Sequence, residues 1–434
     1  MKAYISTFGC QMNEYDSERI AYYLKQEGYS LTDNISDAGI IIFNTCAVRE
    51  NAKNKLYGHI GNLKHLKREN KSPIICVGGC SAQNLKEEIL KNFPFVDIVF
   101  GTFNISELPS LIRERNKLNK SICKVHDKGF DYKLDHWARK SKFKAYIPVI
   151  TGCNNFCSYC IVPYVRGREK SIEPEKIIDK AQKLVANGIV EVTLLGQNVN
   201  SYGNDLGTGV TFANLLESVS NIEGLKRIRF MTSHPKDFDG SIIKIISNRN
   251  NIANHIHLPL QAGSDKILRK MNRKYTSGDY LKIVEKIREE LPDCSITTDL
   301  IVGFPGEEKK DFLQTLDLVK EIRFKRAFTF IYSEREGTKA AQMEDYVSSA
   351  EKKEWFRELV EIQNKISEEE NKKMVGKNFK VLVEGISAKH NLIQGRLEDN
   401  TVVLFEGRDN LTGRIITVNI KQAKAFYLIG EIND

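Results

Sequence analysis

Short apolar runs alternate with amphipathic stretches twice along this chain, and that alternation limits the fold more than any other feature of the sequence. Ala3 to Phe8, Gly39 to Asn44, Ile74 to Gly79 and Val96 to Gly101 are apolar runs of strand length. Helical patterns such as Ser17 to Glu27 and Glu50 to Lys67 separate them. This β-α-β-α order over residues 1–135 predicts an α/β unit built on a parallel sheet. Residues 103–145 are basic and irregular and read as a solvated linker. A second series follows within residues 140–372. Its strands are Ala145 to Thr151, Glu191 to Leu195, Arg227 to Thr232, His255 to Leu260, Ser295 to Val302 and Arg326 to Tyr332. Helical stretches such as Pro174 to Ala186 and Tyr280 to Glu290 intervene, so six repeats predict a partial (β/α)6 barrel, short of the usual eight. Residues 349–373 read as one long charged connecting helix. The last stretch, 373–434, changes character. Lys377 to Ile386, Leu392 to Leu397, Thr401 to Phe405, Ile415 to Ala423 and Phe426 to Ile432 predict a small β-barrel of the oligonucleotide-binding kind.

The chain has 434 residues, with 65 Lys and Arg against 56 Asp and Glu, a net charge of +9. That excess permits a polyanionic partner without requiring one. No run approaches the ~18 apolar residues of a membrane span, and the opening segment turns polar too soon for a signal peptide. The expectation is a cytoplasmic protein with no membrane partner. In that compartment nine cysteines argue against a disulfide framework and for metal binding, catalysis or buried thiols.

Cys153-Asn-Asn-Phe-Cys157-Ser-Tyr-Cys160 is the most specific local signal. Three thiols in eight residues directly after a barrel strand can wrap one face of a metal cluster. A structural zinc site would want a fourth ligand, and none lies nearby. Three thiolates on a four-iron cluster leave one iron open to a small molecule. Ligands at the C-terminal ends of barrel strands also sit where such barrels carry chemistry. Cys10, Cys46 and Cys80 show a second pattern, since each follows a predicted strand of the first unit. In an open α/β sheet, ligands bind at that edge, so these three are expected to converge. Gly9, Gly78 and Gly79 would let the backbone approach a bulky inorganic group. Cys76 lies inside its strand, ~13 Å from Cys80 by extended rise, and reads with Cys123 and Cys294 as structural.

Taken together these motifs resemble the methylthiotransferases of the radical S-adenosylmethionine (SAM) superfamily. TFGCQMNEYDSE (Thr7 to Glu18), NTCAVRENA (Asn44 to Ala52) and GGCSAQ (Gly78 to Gln83) are similar to the N-terminal domain of the tRNA-modifying members. TGCNNFCSYCIVPYVRGRE (Thr151 to Glu169) resembles the radical SAM motif with its flanks. LPLQAGSDKILRKMNRKYT, TTDLIVGFPGE and YSEREGTKAA extend the likeness through the barrel. The final region resembles the RNA-binding TRAM domain. The resemblance implies a flavodoxin-like N-terminal domain, a radical SAM barrel and an OB-like C-terminal barrel.

It also implies two [4Fe-4S] clusters. One, on Cys153, Cys157 and Cys160, would bind SAM, whose reductive cleavage gives methionine and a 5′-deoxyadenosyl radical. The other, on Cys10, Cys46 and Cys80, would carry the sulfur to be inserted. Candidate SAM contacts stand at strand ends: Gly196, Gln197 and Asn198, where many relatives have Gly-Gly-Glu; Ser233 and His234; Gln261; Gly303 and Glu307; and Tyr332. Tyr159 would lie against adenine. The implied activity is 2-methylthiolation of N6-isopentenyladenosine at position 37, in the anticodon stem-loop of tRNA. Threonylcarbamoyladenosine and an aspartate of a ribosomal protein are the alternative substrates within the family. An iron–sulfur RNA-binding regulator is the alternative outside enzymes. Arg166 and Arg168 are candidates for phosphate or the SAM carboxylate, and Lys53, Lys55, Lys64, Lys67 and Arg68 for RNA backbone. His255 and His257 share a strand face without the further ligands that zinc needs. The expected assembly is a monomer.

Overall fold

The computed structural model describes residues 1–47, 57–64, 73–129 and 138–433. Most of the Glu50–Lys67 stretch, with Lys53, Lys55, Lys67 and Arg68, lies outside the described residues; Lys64 is described and exposed.

The N-terminal strands are β1 (Lys2–Thr7), β2 (Ser30–Leu31), β3 (Ile40–Thr45), β4 (Ile74–Gly79), β5 (Ile98–Phe100) and β6 (Ile122–Lys124). They form one all-parallel sheet in the order β2-β1-β3-β4-β5-β6. Every residue of β3 and β4 is buried, because separate apolar layers cover the two faces of the sheet. Such strands read as continuous apolar runs, which is why they were plain in the sequence. The expected solvated linker is partly wrong. A helix at Leu108–Leu118 buries Leu108, Leu111 and Ile112, and β6 extends the sheet at its edge. Cys123 sits on β6 and Cys76 is fully buried in β4, so both are packing residues.

The second unit opens with β7 (Lys144–Pro148). Two short strands, β8 (Ile150–Thr151) and β9 (Lys170–Ser171), pair antiparallel and close the loop that carries Cys153, Cys157 and Cys160. Then come β10 (Glu191–Leu195), β11 (Arg227–Phe230), β12 (His255–His257), β13 (Ser295–Val302) and β14 (Arg326–Ile331). They form two parallel triplets, β7-β10-β11 and β12-β13-β14. Backbone hydrogen bonds join the triplets, from Ser233 N to His257 O (3.3 Å) and from Ala253 N to Ile228 O (2.8 Å). The result is an open six-stranded partial barrel around one large apolar core. Capping boxes at Thr211 and Thr276 start two of its outer helices, and a third, at Ser348, starts the Ser349–Lys372 helix.

Strands β15 (Asn378–Ile386), β16 (Ile393–Arg396), β17 (Val402–Phe405), β18 (Ile415–Ala423) and β19 (Tyr427–Ile432) close into a barrel in the order β15-β16-β17-β19-β18. Its β16–β17 connection covers the N-terminal end of the larger barrel. Arg227 donates to the carbonyls of Arg396 and Lys380 (3.1 Å each), and Arg229 to those of Leu397 (2.6 Å) and Glu398. Asp399 accepts from Ser295 (3.2 Å) and lies 3.8 Å from Lys325 Nζ. His255 and His257 both meet the Thr297 hydroxyl, at 2.8 and 3.0 Å. Burial pushes His255 down to about 3, against the pull of Asp399. These histidines belong to a structural seam. Among the described residues no helix is long and apolar enough to cross a membrane.

Candidate active site

The N-terminal thiols converge where β1, β3 and β4 end. Cys10 precedes the Gln11–Gln26 helix, Cys46 follows β3, and Cys80 begins the short Cys80–Leu85 helix. Asn13 ties the three ends together. Its amide donates to Phe8 O and Thr45 O (2.9 Å each), while its Oδ1 lies 4.0 Å from Cys10 Sγ and 3.8 Å from Cys80 Sγ. Gly9, at φ +118°, has no side chain because a Cβ there would lie 2.9 Å from the Cys46 sulfur. Gly78 does something else. Its missing Cβ makes room for the Phe100 ring, so it serves sheet packing and not the approach of an inorganic group. Cys46 and Cys80 are buried and Cys10 is exposed.

The other three thiols sit in a loop held from several sides. Cys153 N donates to Gly167 O (3.1 Å) and Gly152 N to Gln197 Oε1 (2.6 Å). Asn272 donates to the carbonyls of Asn155 (3.2 Å) and Phe156 (2.9 Å), and Ser158 to Lys270 O (2.8 Å). Phe156 takes φ +47°, a rare conformation for a bulky residue, and the loop contacts hold it there. Arg273 is buried and donates to Cys157 Sγ (3.5 Å), Tyr275 Oη (2.8 Å) and Pro259 O (2.7 Å). Nothing in the spacing singled it out.

The strand-end candidates divide by their hydrogen bonds. Ser233 Oγ, His234 Nε2, Asn198 Oδ1 and Tyr332 Oη are buried and have no hydrogen-bond partner among the described residues. His234 Nδ1 accepts from Lys236 N (3.2 Å), and burial beside Arg273 and Lys236 pushes the ring down to about 2. The imidazole is therefore neutral, with its proton on Nε2, a donor waiting for an acceptor. Asn198 Nδ2 is anchored on Asp237 (2.7 Å). Thr232 (φ +69°) and Gln261 (φ +75°), in the segments that follow β11 and β12, take left-handed conformations. Such strain gathers where a site is built.

Others are committed to the fold. Gln197 holds Gly152, and Gly196 lets Ile150 pack against it. The Glu307 carboxylate accepts from the backbone of Gly303 and Phe304, shaping that loop, and burial pushes it up to about 7. Tyr159 packs against the barrel core, and its phenol is pushed up by burial.

Arg166 corrects an expectation. Expected to meet phosphate or a SAM carboxylate, it is 4% exposed and engages protein groups. Its guanidinium crosses to the N-terminal thiols, 3.2 Å from Cys80 Sγ, 2.9 Å from Asn13 Oδ1 and 2.7 Å from Asp16 Oδ2. Arg168 is exposed and stacks on Phe156, with its guanidinium carbon 4.3 Å from the ring centre. Asn13 and Asp16 had left a trace in the sequence. They stand three apart on one helix face that is buried despite being polar.

The thiols suit soft metal chemistry. Burial pushes Cys80 up to about 12 and Cys153 up to about 11, and raises Cys160 further. Bare thiolates are costly there, and a bound cationic centre would offset that cost. All-thiol donor sets suit iron–sulfur clusters as well as zinc and copper(I), and three thiols without a fourth ligand fit a four-iron cluster with one open iron. Among the described residues no three His, Cys, Asp or Glu side chains close on one metal ion, and the fit rests on the donor chemistry.

Family models match along the chain: Uncharacterized protein family UPF0004 over residues 2–101, the radical SAM superfamily over 147–319 and the TRAM domain over 372–432. The chain is 48% identical over 432 residues to the tRNA-2-methylthio-N(6)-dimethylallyladenosine synthase of Caldicellulosiruptor saccharolyticus, covering 99% of this chain and 92% of that one. The proteins of that name from Thermoanaerobacter pseudethanolicus and Clostridium botulinum are each 49% identical, covering 99% of this chain and 92% and 96% of theirs. The chain belongs to this methylthiotransferase family. Among solved structures, the radical SAM methyltransferase TsrM from Kitasatospora setae, with cobalamin and a [4Fe-4S] cluster bound, has a TM-score of 0.58 at 15% identity, covering 78% of this chain and 77% of that one. At that identity the likeness is one of fold. In this methylthiotransferase the radical SAM match encloses Cys153, Cys157 and Cys160, and the N-terminal match encloses Cys10, Cys46 and Cys80. Arg166, within the radical SAM match, reaches Cys80 in the N-terminal one.

Proposed function

We propose that this chain converts N6-isopentenyladenosine in tRNA to its 2-methylthio derivative, using SAM and two [4Fe-4S] clusters. Family membership over nearly the whole chain carries the reading. When bound, the clusters and SAM supply the electron, the radical, the sulfur and the methyl group. The adenine C2 position has no acidic proton, so polar acid–base chemistry has no easy route to it.

The chain's own residues bind, orient and exclude water. In this reading Cys153, Cys157 and Cys160 hold the SAM-binding cluster, and Cys10, Cys46 and Cys80 hold the second one. His234 Nε2, Ser233 Oγ, Asn198 and Tyr332 Oη supply polar contacts to SAM, because each has an unpaired buried atom at the strand ends. Gln261 stands at the same strand ends; Gly303, Glu307 and Gln197 hold the loops in place, and Tyr159 and Gly196 back the site through packing. The division at 1–135, 140–372 and 373–434, a cytoplasmic monomer, and the anticodon stem-loop with adenosine 37 as target belong to the same proposal. The base must leave its stack to present C2, as single-stranded loops permit.

The test is nucleoside mass spectrometry of tRNA incubated with the reconstituted chain, SAM and a reductant. The 2-methylthio derivative of isopentenyladenosine is expected. Modification of threonylcarbamoyladenosine alone, or of neither nucleoside, would overturn the assignment.

A further inference from the structure

Arg166 leaves its own loop six residues beyond Cys160 and ends inside the N-terminal unit. A short helix, Val162–Val165, carries it there. Thr102 of the N-terminal unit fixes that helix by donating to Val165 O (2.7 Å). Ile161 and Val165 pack on Cys80 and Ala47, so an apolar patch surrounds the guanidinium. Within it Nε lies 3.2 Å from Cys80 Sγ, and Nη2 meets Asn13 Oδ1 at 2.9 Å and Asp16 Oδ2 at 2.7 Å. Asp16 in turn lies 3.6 Å from Arg19 Nη1, and neither Asp16 nor Arg19 is exposed. A buried cation is thus aimed at one sulfur of the N-terminal thiols by the loop that carries the other three.

We infer that Arg166 is the positioning residue that joins the two thiol sets: it holds the Cys80 sulfur at a fixed place relative to Cys153, Cys157 and Cys160, and it raises the reduction potential of the group bound by Cys10, Cys46 and Cys80. This rests on the proposal that those cysteines hold a cluster. A hydrogen bond to a ligating sulfur draws charge from it, and a nearby cation favours the more reduced, more negative state. Asp16 and Asn13 fix the fork so that Nε, and not a terminal nitrogen, faces sulfur. Lysine cannot reproduce that, because it offers a point charge with no planar fork.

The test uses the full chain reconstituted with iron and sulfide. Metal and sulfide are counted, and both clusters are followed by electron paramagnetic resonance during reductive titration. In Arg166→Gln the midpoint of one cluster should fall while the other stays fixed. The shifted signal should be the one that Cys46→Ala lacks. Deoxyadenosine formation should persist while methylthio product drops sharply. Unchanged midpoints and line shapes for both clusters would overturn the inference. If Arg166→Gln does not fold, Arg166→Lys serves instead, with a smaller fall expected and the parental potential as the contradicting result. A parent chain that loads one cluster only, lost in Cys157→Ala, would instead overturn the underlying assignment of Cys10, Cys46 and Cys80.

Discussion

The two ends of the partial barrel are built on opposite terms. At the N-terminal ends of the strands, Glu191, Arg227, Arg229, His255, Ser295 and Lys325 are buried or nearly so, and the charged groups among them are answered by the β16–β17 connection and by one another. Among the described residues two polar atoms of that seam lack a hydrogen bond, Asn254 Oδ1 and Arg229 Nε, and the latter lies 3.0 Å from the Glu191 carboxylate. At the C-terminal ends, Ser233, His234, Asn198 and Tyr332 each leave a buried polar atom without a partner among the described residues. Phe156, Thr232 and Gln261 hold left-handed backbone there, and three thiols stand beside them. Buried polar groups are ordinarily paired. The paired end is therefore the structural seam, and in the proposed function the unpaired end is where SAM would complete the hydrogen bonding. Barrel enzymes place chemistry at that same end.

Substitutions should separate the two ends. The largest effect is expected at the thiols: Cys157→Ala should reduce deoxyadenosine formation to background while the apo chain keeps its thermal midpoint. Next comes the seam. Asp399→Ala leaves Lys325 and Ser295 without their buried partner and should cost about 3 kcal/mol, a fall of several degrees in the unfolding midpoint. An unchanged midpoint would show that the C-terminal barrel rests on the larger one without supporting it. Removing residues 375–434 would uncover Arg227 and Arg229 as well, so lost tRNA binding in such a truncation would reflect barrel damage along with any lost RNA contact.

A smaller effect is expected at His234. His234→Ala should weaken SAM binding by roughly tenfold, near 1.4 kcal/mol, with little change in apo stability. The reverse pattern, lower stability with parental SAM affinity, would move His234 to the structural side. The smallest effect is a pH dependence at Glu307. Its carboxyl is raised by burial to about 7, so the folded state binds this proton more tightly than the unfolded chain does. The associated stability is full below the ordinary value of 4.5 and is lost as pH rises towards 7. The midpoint of the parent should decline across that window, and Glu307→Gln should flatten the decline.

The paired and unpaired ends also differ in how far the sequence announced them. Fully buried parallel strands such as β3 and β4 read as apolar runs, and the N-terminal thiols declared themselves by following such strands, the other three by their spacing. The edge strands β2 and β6 were too short to show a pattern, and the basic composition around β6 hid it. The role of Arg166 lay beyond reach because its partner Cys80 is 86 residues away, and a local reading sees only an arginine near a loop. The same holds for Asp399, which meets the large barrel more than a hundred residues from Ser295. Gly78 was misread because a glycine makes room for whatever lies opposite, and here that is Phe100.

In the proposed function the two sets of three thiols do different work, and that division is open to direct test. It is tested most directly by measuring deoxyadenosine and 2-methylthio nucleoside side by side in Cys46→Ala, with SAM, reductant and tRNA present. The account predicts that deoxyadenosine still forms while the methylthio nucleoside is absent. Methylthio nucleoside at the parental level would contradict it, because the N-terminal thiols would then have no part in supplying the sulfur.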